Sequence, residues 1–255
     1  MDDLRQLVGK RVVLTGGATN IGRATALLFA EHGARLVIGD LNAEGADETV
    51  RAITDKGGEA SFVHTDVADE ESVARLIETS AERLSGVDAA FFNAGLQRSG
   101  PVTEFSTDDW DALFRVNPRH CFLGAKYVTP HLEAAGGGVI VFTASLAAVK
   151  GGPGLTAYSA SKGAIVAFGR ALAMELAPAG IRVNTICPGW VDTPFNDPAV
   201  DFMGGREAQD ELVRRMVPLG RQATPEEIAS SVLYLVSDAS SYMTGQILLV
   251  DGGVA

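Results

Sequence analysis

Strand-like and helix-like stretches alternate along the whole chain, and this alternation leaves few folds open. Short runs rich in β-formers fall near 11–15, 35–40, 60–64, 88–92, 138–143, 181–186 and 246–250. Between them, apolar residues recur at helical spacing near 21–32, 43–56, 69–84, 107–134, 156–177 and 224–237. Strands joined by helix-length crossovers pair in parallel and carry helices on both faces. The expectation is a doubly wound α/β fold with a mostly parallel seven-stranded sheet, in one domain over residues 1–255. In such a sheet, ligands bind beyond the carboxyl ends of the strands. Gly16, Asp40, Asp66, Asn93, Ser145 and Pro188 all end or follow strands, so they should converge on one edge.

The first crossover carries a nucleotide signature. Arg11–Thr15 reads as a buried strand, Gly16-Gly-Ala-Thr-Asn-Ile-Gly22 as a turn, and Arg23–Ala30 as a helix start. A glycine turn between strand and helix brings backbone N–H groups to a pyrophosphate at the positive end of the helix. Asn20 stands where a glycine is commonest, and asparagine tolerates left-handed backbone better than other non-glycine residues. The second strand ends in Asp40, 18 residues past Gly22. A carboxylate at that offset accepts from a ribose 2′-hydroxyl and repels a 2′-phosphate. The next residues, Leu41-Asn-Ala-Glu44, bring no cation, which favours NAD over NADP. Taken alone, the turn is also compatible with a plain α/β connection, and Asp40 with a solvated strand end.

A second signature lies in the fifth predicted helix. Tyr158 and Lys162 are one turn apart, with Ser145 thirteen residues before the tyrosine. Residues at i and i+4 share a helix face. A free phenol has a pKa near ~10, and bringing it to about 7 takes roughly 4 kcal/mol. One cation at about 4 Å supplies roughly that much at an effective dielectric of ~20. The pair can therefore make a tyrosine a general acid/base, although a Tyr-x-x-x-Lys pair by itself also occurs as an ordinary surface contact.

These motifs together resemble the short-chain dehydrogenase/reductase family in its form of about 250 residues, over essentially the whole chain. The turn from Thr15 to Gly22, Asp66-Val67 after strand three, Asn93-Ala94-Gly95 after strand four, Asn117, Ser145, Tyr158-x-x-x-Lys162, the Pro188–Thr193 segment, Thr244-Gly-Gln246 and Asp251-Gly-Gly253 occur in family order. The resemblance implies a Rossmann-type fold, hydride transfer to or from a nicotinamide, and a tetrad of Asn117, Ser145, Tyr158 and Lys162. It places Gly16, Asn20, Ile21, Gly22, Asp40, Asp66, Val67, Asn93, Ala94, Gly95, Tyr158, Lys162, Pro188, Gly189, Val191 and Thr193 against the cofactor, with Asp66 and Val67 at the adenine. It also implies that Lys162 holds the nicotinamide ribose, that Asn117 holds a relay water by its carbonyl, and that no metal is needed. Three features depart from the pattern: Asn20, Pro118 directly after Asn117, and Thr143-Ala144-Ser145 in place of the commoner Ser-Ser pair, the catalytic serine being retained. A proline within a helix removes a donor and kinks the chain. Two other readings stay open: an NADPH-dependent 3-oxoacyl thioester reductase, against which Asp40 argues, and a non-catalytic NAD-binding scaffold on the same fold.

The net charge of −11 argues against nucleic-acid binding, which needs basic surface. Cys121 and Cys187 make no disulfide framework and, like the four histidines, no metal spacing. Met1-Asp-Asp-Leu-Arg5 lacks a basic-then-apolar signal and no apolar run reaches a membrane span, so the expected compartment is the cytoplasm. The helix from Ala157 to Ala177 is apolar nearly all round, which predicts burial on two sides and a homo-oligomer; the resemblance makes it a tetramer. Residues 194–217 break the strand–helix rhythm with Pro194, Pro198, Gly204 and Gly205 and read as a mobile substrate lid. Trp190 is expected near substrate, and Arg98 and Lys150 at the pocket mouth. The expected substrate is a secondary alcohol on a small polyol, sugar or hydroxy acid.

Overall fold

The computed structural model describes residues 5–255. The reading of the first residues as free of a signal therefore lies, for residues 1–4, outside the described part. Seven parallel strands form one sheet in the order β3-β2-β1-β4-β5-β6-β7. They are β1 (Arg11–Thr15), β2 (Arg35–Asp40), β3 (Glu59–His64), β4 (Ala89–Phe92), β5 (Gly138–Thr143), β6 (Ile181–Pro188) and β7 (Ile247–Val250). The helices are α1 (Asn20–Glu31), α2 (Ala43–Thr54), α3 (Glu70–Leu84), α4 (Thr107–Val116), α5 (Pro118–Ala134), α6 (Thr156–Leu176), α7 (Asp197–Phe202), α8 (Arg206–Met216) and α9 (Pro225–Val236).

Alternate strand residues feed opposite cores, as a period of two demands. Val13, Ala90, Phe92, Ile140 and Phe142 meet α3, α5 and α6 on one face. Val12, Leu14, Phe91, Val139 and Val141 meet α1, α2 and α9 on the other. The strand order reverses between β1 and β4, which opens a crevice at their carboxyl ends. α9 opens with a reciprocal cap, in which the Thr224 side chain accepts from the Glu227 N–H and Glu227 accepts from the Thr224 N–H.

Two expectations change. The predicted helix over 107–134 is two helices, with Asn117 between them at φ −82°, ψ −80°. Pro118 is the cause: without an N–H it cannot continue α4, yet its fixed φ suits the first position of α5. Residues 194–217 also carry more helix than the break in the strand–helix rhythm implies. They form a short turn at Pro194–Asn196, then α7 and α8, divided by Gly204-Gly205. Val213 and Val217 anchor α8 in a cluster with Leu146, Trp190 and Val254.

Candidate active site

The crevice is a cavity of about 780 Å³ that runs from the β1–α1 turn across the sheet edge to α7 and α8. Its first end is built from backbone. Gly16 has φ +74°, and a Cβ there would lie 2.9 Å from the Ala94 backbone. A Cβ on Gly22 would lie 1.8 Å from the Gly16 carbonyl oxygen. The turn therefore closes on itself only with glycine at both positions. Asn20 takes φ +51°, the left-handed backbone its residue type tolerates. Thr19 caps α1 without a side-chain hydrogen bond, and the first turn of α1 holds no acid. The N–H groups at that helix end thus face the cavity without a competing carboxylate.

Asp40 is held by backbone on both oxygens: the Ala18 N–H donates to Oδ2 (2.9 Å) and the Asn42 N–H to Oδ1 (2.9 Å). Arg23, on α1, is engaged by Glu48 at 2.7 Å, by Thr49 and by the Gly45 carbonyl. Asp66 is fixed by the Ala68 N–H (2.8 Å), and Val67 is buried beside it. Asn93 ties the strands together, donating to the Gly16 carbonyl (3.2 Å) and accepting from the Thr143 hydroxyl (3.1 Å). Gly16, Asn20, Ile21, Asp40, Asp66, Val67, Asn93, Ala94, Gly95, Pro188, Gly189, Val191 and Thr193 all line the cavity, with Ser145, Tyr158 and Lys162. Two predicted site residues do not: Gly22, which packs behind the turn, and Asn117.

Tyr158 and Lys162 project from the first turns of α6 and are 6% and 2% exposed. The Lys162 Nζ donates to the Thr143 carbonyl (3.0 Å) and sits 5.9 Å from the Tyr158 ring centre. In the protein alone the cation thus rests on a main-chain carbonyl beside the phenol ring. In the protein alone, burial pushes the Tyr158 phenol above its ordinary value, and a hydrogen bond with Ser145 opposes that shift. The cost of burial also falls on the cation, and desolvation brings Lys162 down to about 8. Ser145 follows β5 in extended backbone and opens the turn Leu146–Ala148, its Oγ accepting from the Ala147 N–H (3.1 Å).

Asn117 lies behind this group, fully buried. Its side chain accepts from the Leu96 N–H (2.8 Å) and donates to the Leu96 carbonyl (3.0 Å) and to Ser161 Oγ (3.0 Å). Sequence reasoning missed Ser161 and Thr15 as supports. Thr15 Oγ1 accepts from the Asn93 N–H (3.1 Å) and pairs with His120 Nε2 (3.0 Å). Burial, and secondarily the Lys162 charge, hold His120 neutral with a pKa of about 3. Trp190 lines the cavity as expected, whereas Trp110 stacks on Phe114. Arg98 does not reach the cavity; it pairs with Asp109 (3.2 Å). Lys150 does line it, and its ammonium donates to the Val254 carbonyl. Among the described residues no cluster of three or more His, Cys, Asp or Glu is placed to hold a metal.

A family model described as enoyl-(acyl carrier protein) reductase matches residues 16–255. The chain is 40% identical over 243 residues to cis-4-hydroxycyclohexanecarboxylate dehydrogenase of Sinomonas cyclohexanicum, covering 94% of each chain. It is 34% identical to the 3-oxoacyl-(acyl-carrier-protein) reductase FabG of Thermotoga maritima, covering 98% of this chain and 99% of the other. A solved structure of NAD+-bound xylitol dehydrogenase superposes with a TM-score of 0.92 at 34% identity, covering 97% of this chain and 99% of that one. The chain is an oxidoreductase of the short-chain dehydrogenase/reductase family, which binds a nicotinamide cofactor and acts on alcohol and ketone groups.

Proposed function

We propose that the protein interconverts a secondary alcohol and its ketone with NAD as cofactor. The observation that carries this reading is the convergence of Ser145, Tyr158 and Lys162 in one cavity with the Gly16 turn and Asp40. The residues present fit the dinucleotide. The glycine turn leaves no room for a side chain, the α1 end is open, and Asp40 is aimed by two backbone donors. A carboxylate held in this way accepts from a 2′-hydroxyl and repels a 2′-phosphate, and the xylitol dehydrogenase relative is NAD-bound. When bound, the cofactor supplies the hydride acceptor or donor.

The chain's own residues do the rest. Ser145 orients the substrate oxygen and donates to the charge that develops on it. Tyr158 takes the hydroxyl proton in oxidation and returns it in reduction. Lys162 stabilises the phenolate and holds the nicotinamide ribose. Asn117, at the break between α4 and α5, lines the proton path behind Lys162. The substrate end is walled by Leu96, Leu155, Trp190, Phe195, Phe202 and Met216. That wall favours a compact apolar body, such as the ring named for the Sinomonas relative, over a polyol or sugar, and leaves a hydroxy acid in place. Residues 1–255 act as one domain, with 194–217 as the substrate-side cover, in a cytoplasmic homotetramer. Met174 at 80% and Phe122 at 49% exposure on α6 and α5 support the oligomer. No helix among the described residues is long and apolar enough to cross a membrane.

The test is NADH formation across cyclic alcohols, hydroxy acids, polyols and sugars, with NADPH and an acetoacetyl thioester as a parallel arm. Turnover of a cyclic alcohol or hydroxy acid with NAD is the expected result. Preference for NADPH and the thioester would replace this reading with that of a 3-oxoacyl reductase. Silence on every arm, with cofactor bound, would favour the scaffold.

A further inference from the structure

The substrate end of the cavity has an unbalanced charge. Among the described residues, Asp40 and Asp66 are its only lining acids, and both belong to the adenosine end. At the other end the lining contains Lys150, Lys162 and Arg215 and, among the described residues, no carboxylate side chain. In a chain of net charge −11, three cations without an acid stand out from the surrounding surface.

The three cations differ in what they already hold. Lys162 is committed to the Thr143 carbonyl and Lys150 to the Val254 carbonyl. Arg206, at the other end of α8, is paired with Asp197 (3.3 Å) and Asp192 (3.7 Å). The exposed Arg215 side chain has neither an ion pair nor a hydrogen bond within the described residues, although Glu211 stands four residues before it on α8. Leu212, Arg215 and Met216 share one helix face, and all three line the cavity. That face is fixed in place. Val213 and Val217 are buried, and Gln209 is buried and bonded to Gln222 (3.4 Å) and Arg206 (3.2 Å). A guanidinium with five unused donors at the end of an apolar wall matches the planar geometry of a carboxylate.

We propose that Arg215 receives a carboxylate carried by the substrate at the end remote from its hydroxyl, so that the preferred substrate is an apolar-bodied hydroxy acid. This deepens, and rests on, the alcohol–ketone reading above. The carboxylate draws the ring against Leu212 and Met216, and the carbinol then faces Ser145 and Tyr158. Arg215 is a specificity residue here, touching the far end of the substrate and not the reacting atoms.

The test is calorimetric titration of cyclohexanecarboxylate and of its neutral amide into the protein, with and without NADH, for wild type, Arg215→Met and Arg215→Lys. The acid should bind wild type at least about tenfold tighter than the amide. Arg215→Met should erase that preference, acid and amide then binding alike, and Arg215→Lys should restore part of it, since charge is retained without the bidentate fork. Equal binding of acid and amide by wild type, absence of acid binding, or a preference that survives in Arg215→Met would each overturn the proposal. An Arg215-dependent preference without turnover of any alcohol would sustain this site and overturn the redox reading instead.

Discussion

The end of the cavity around Gly16, Asp40 and Asn93 and the end around α7 and α8 are built by different means. At the first, main-chain groups make the shape: the Gly16–Gly22 contact closes the turn, and two backbone N–H groups aim Asp40. Those groups hang on buried parallel strands, so little can shift without breaking the sheet. At the second, side chains on two short helices make the shape, and a cluster of only a few residues around Val213 and Val217 anchors α8. An end made of backbone suits a ligand that never varies; an end made of side chains can be re-cut by substitution without touching the chemistry. The comparison predicts that changes at the first end are severe and general, whereas changes at the second are mild and substrate-specific.

The largest effect should come from Gly22→Ala. Its methyl would stand 1.8 Å from the Gly16 carbonyl, an overlap no rotamer relieves. The expected loss is about 4 kcal/mol or more, the upper end for one substitution, with NADH binding abolished. Chemical denaturation and NADH fluorescence would measure both, and wild-type values would break the claim that the turn is rigid.

Lys162→Met should separate function from stability. In the folded protein Lys162 titrates at about 8, against 10.5 for the free side chain. Between those values the unfolded chain holds more protons than the folded one, so stability rises with pH from about 8 to 10.5. Below 8 the buried charge carries its full cost. The variant should lose at least about 100-fold in turnover, gain about 2 kcal/mol of stability at pH 7, and lose that alkaline rise. Denaturant melts across pH 7 to 11 would show it; a variant less stable than wild type at pH 7 would contradict the desolvation argument.

Asp40→Ala is the smaller perturbation at the cofactor end. It removes one charged acceptor, worth about 1.5–3 kcal/mol, and its repulsion of a phosphate. NAD should bind about tenfold more weakly and NADP more tightly, read by competitive titration. A wild-type protein that already prefers NADP would reverse the cofactor assignment.

The same contrast explains what could be read from the chain. The fold and the first end were legible because glycines, strand-end acids and Asn93 act through backbone geometry, which leaves fixed spacings. The break at Asn117 was half legible: Pro118 marked it, but two helices in place of one required the loss of the proline N–H to be carried through. α7 and α8 were not legible, because Pro194, Pro198, Gly204 and Gly205 read as breakers when they in fact cap and divide short helices. The pairing of Lys162 was missed because its acceptor is a main-chain carbonyl, at Thr143, and no side chain announces it. Arg215 was missed for a related reason. Its significance lies in the partner it lacks, which only the folded arrangement defines.

The central claim is that the Tyr158 hydroxyl moves the proton in a site where Ser145 and Lys162 assist it. Tyr158→Phe keeps the ring and its packing and removes only that hydroxyl. Turnover of the best alcohol found with NAD, measured beside the NADH dissociation constant of the same variant, tests the claim most directly. The account predicts a fall in kcat of at least about 100-fold with NADH affinity within about twofold of wild type. Near-normal turnover in the phenylalanine variant would contradict it.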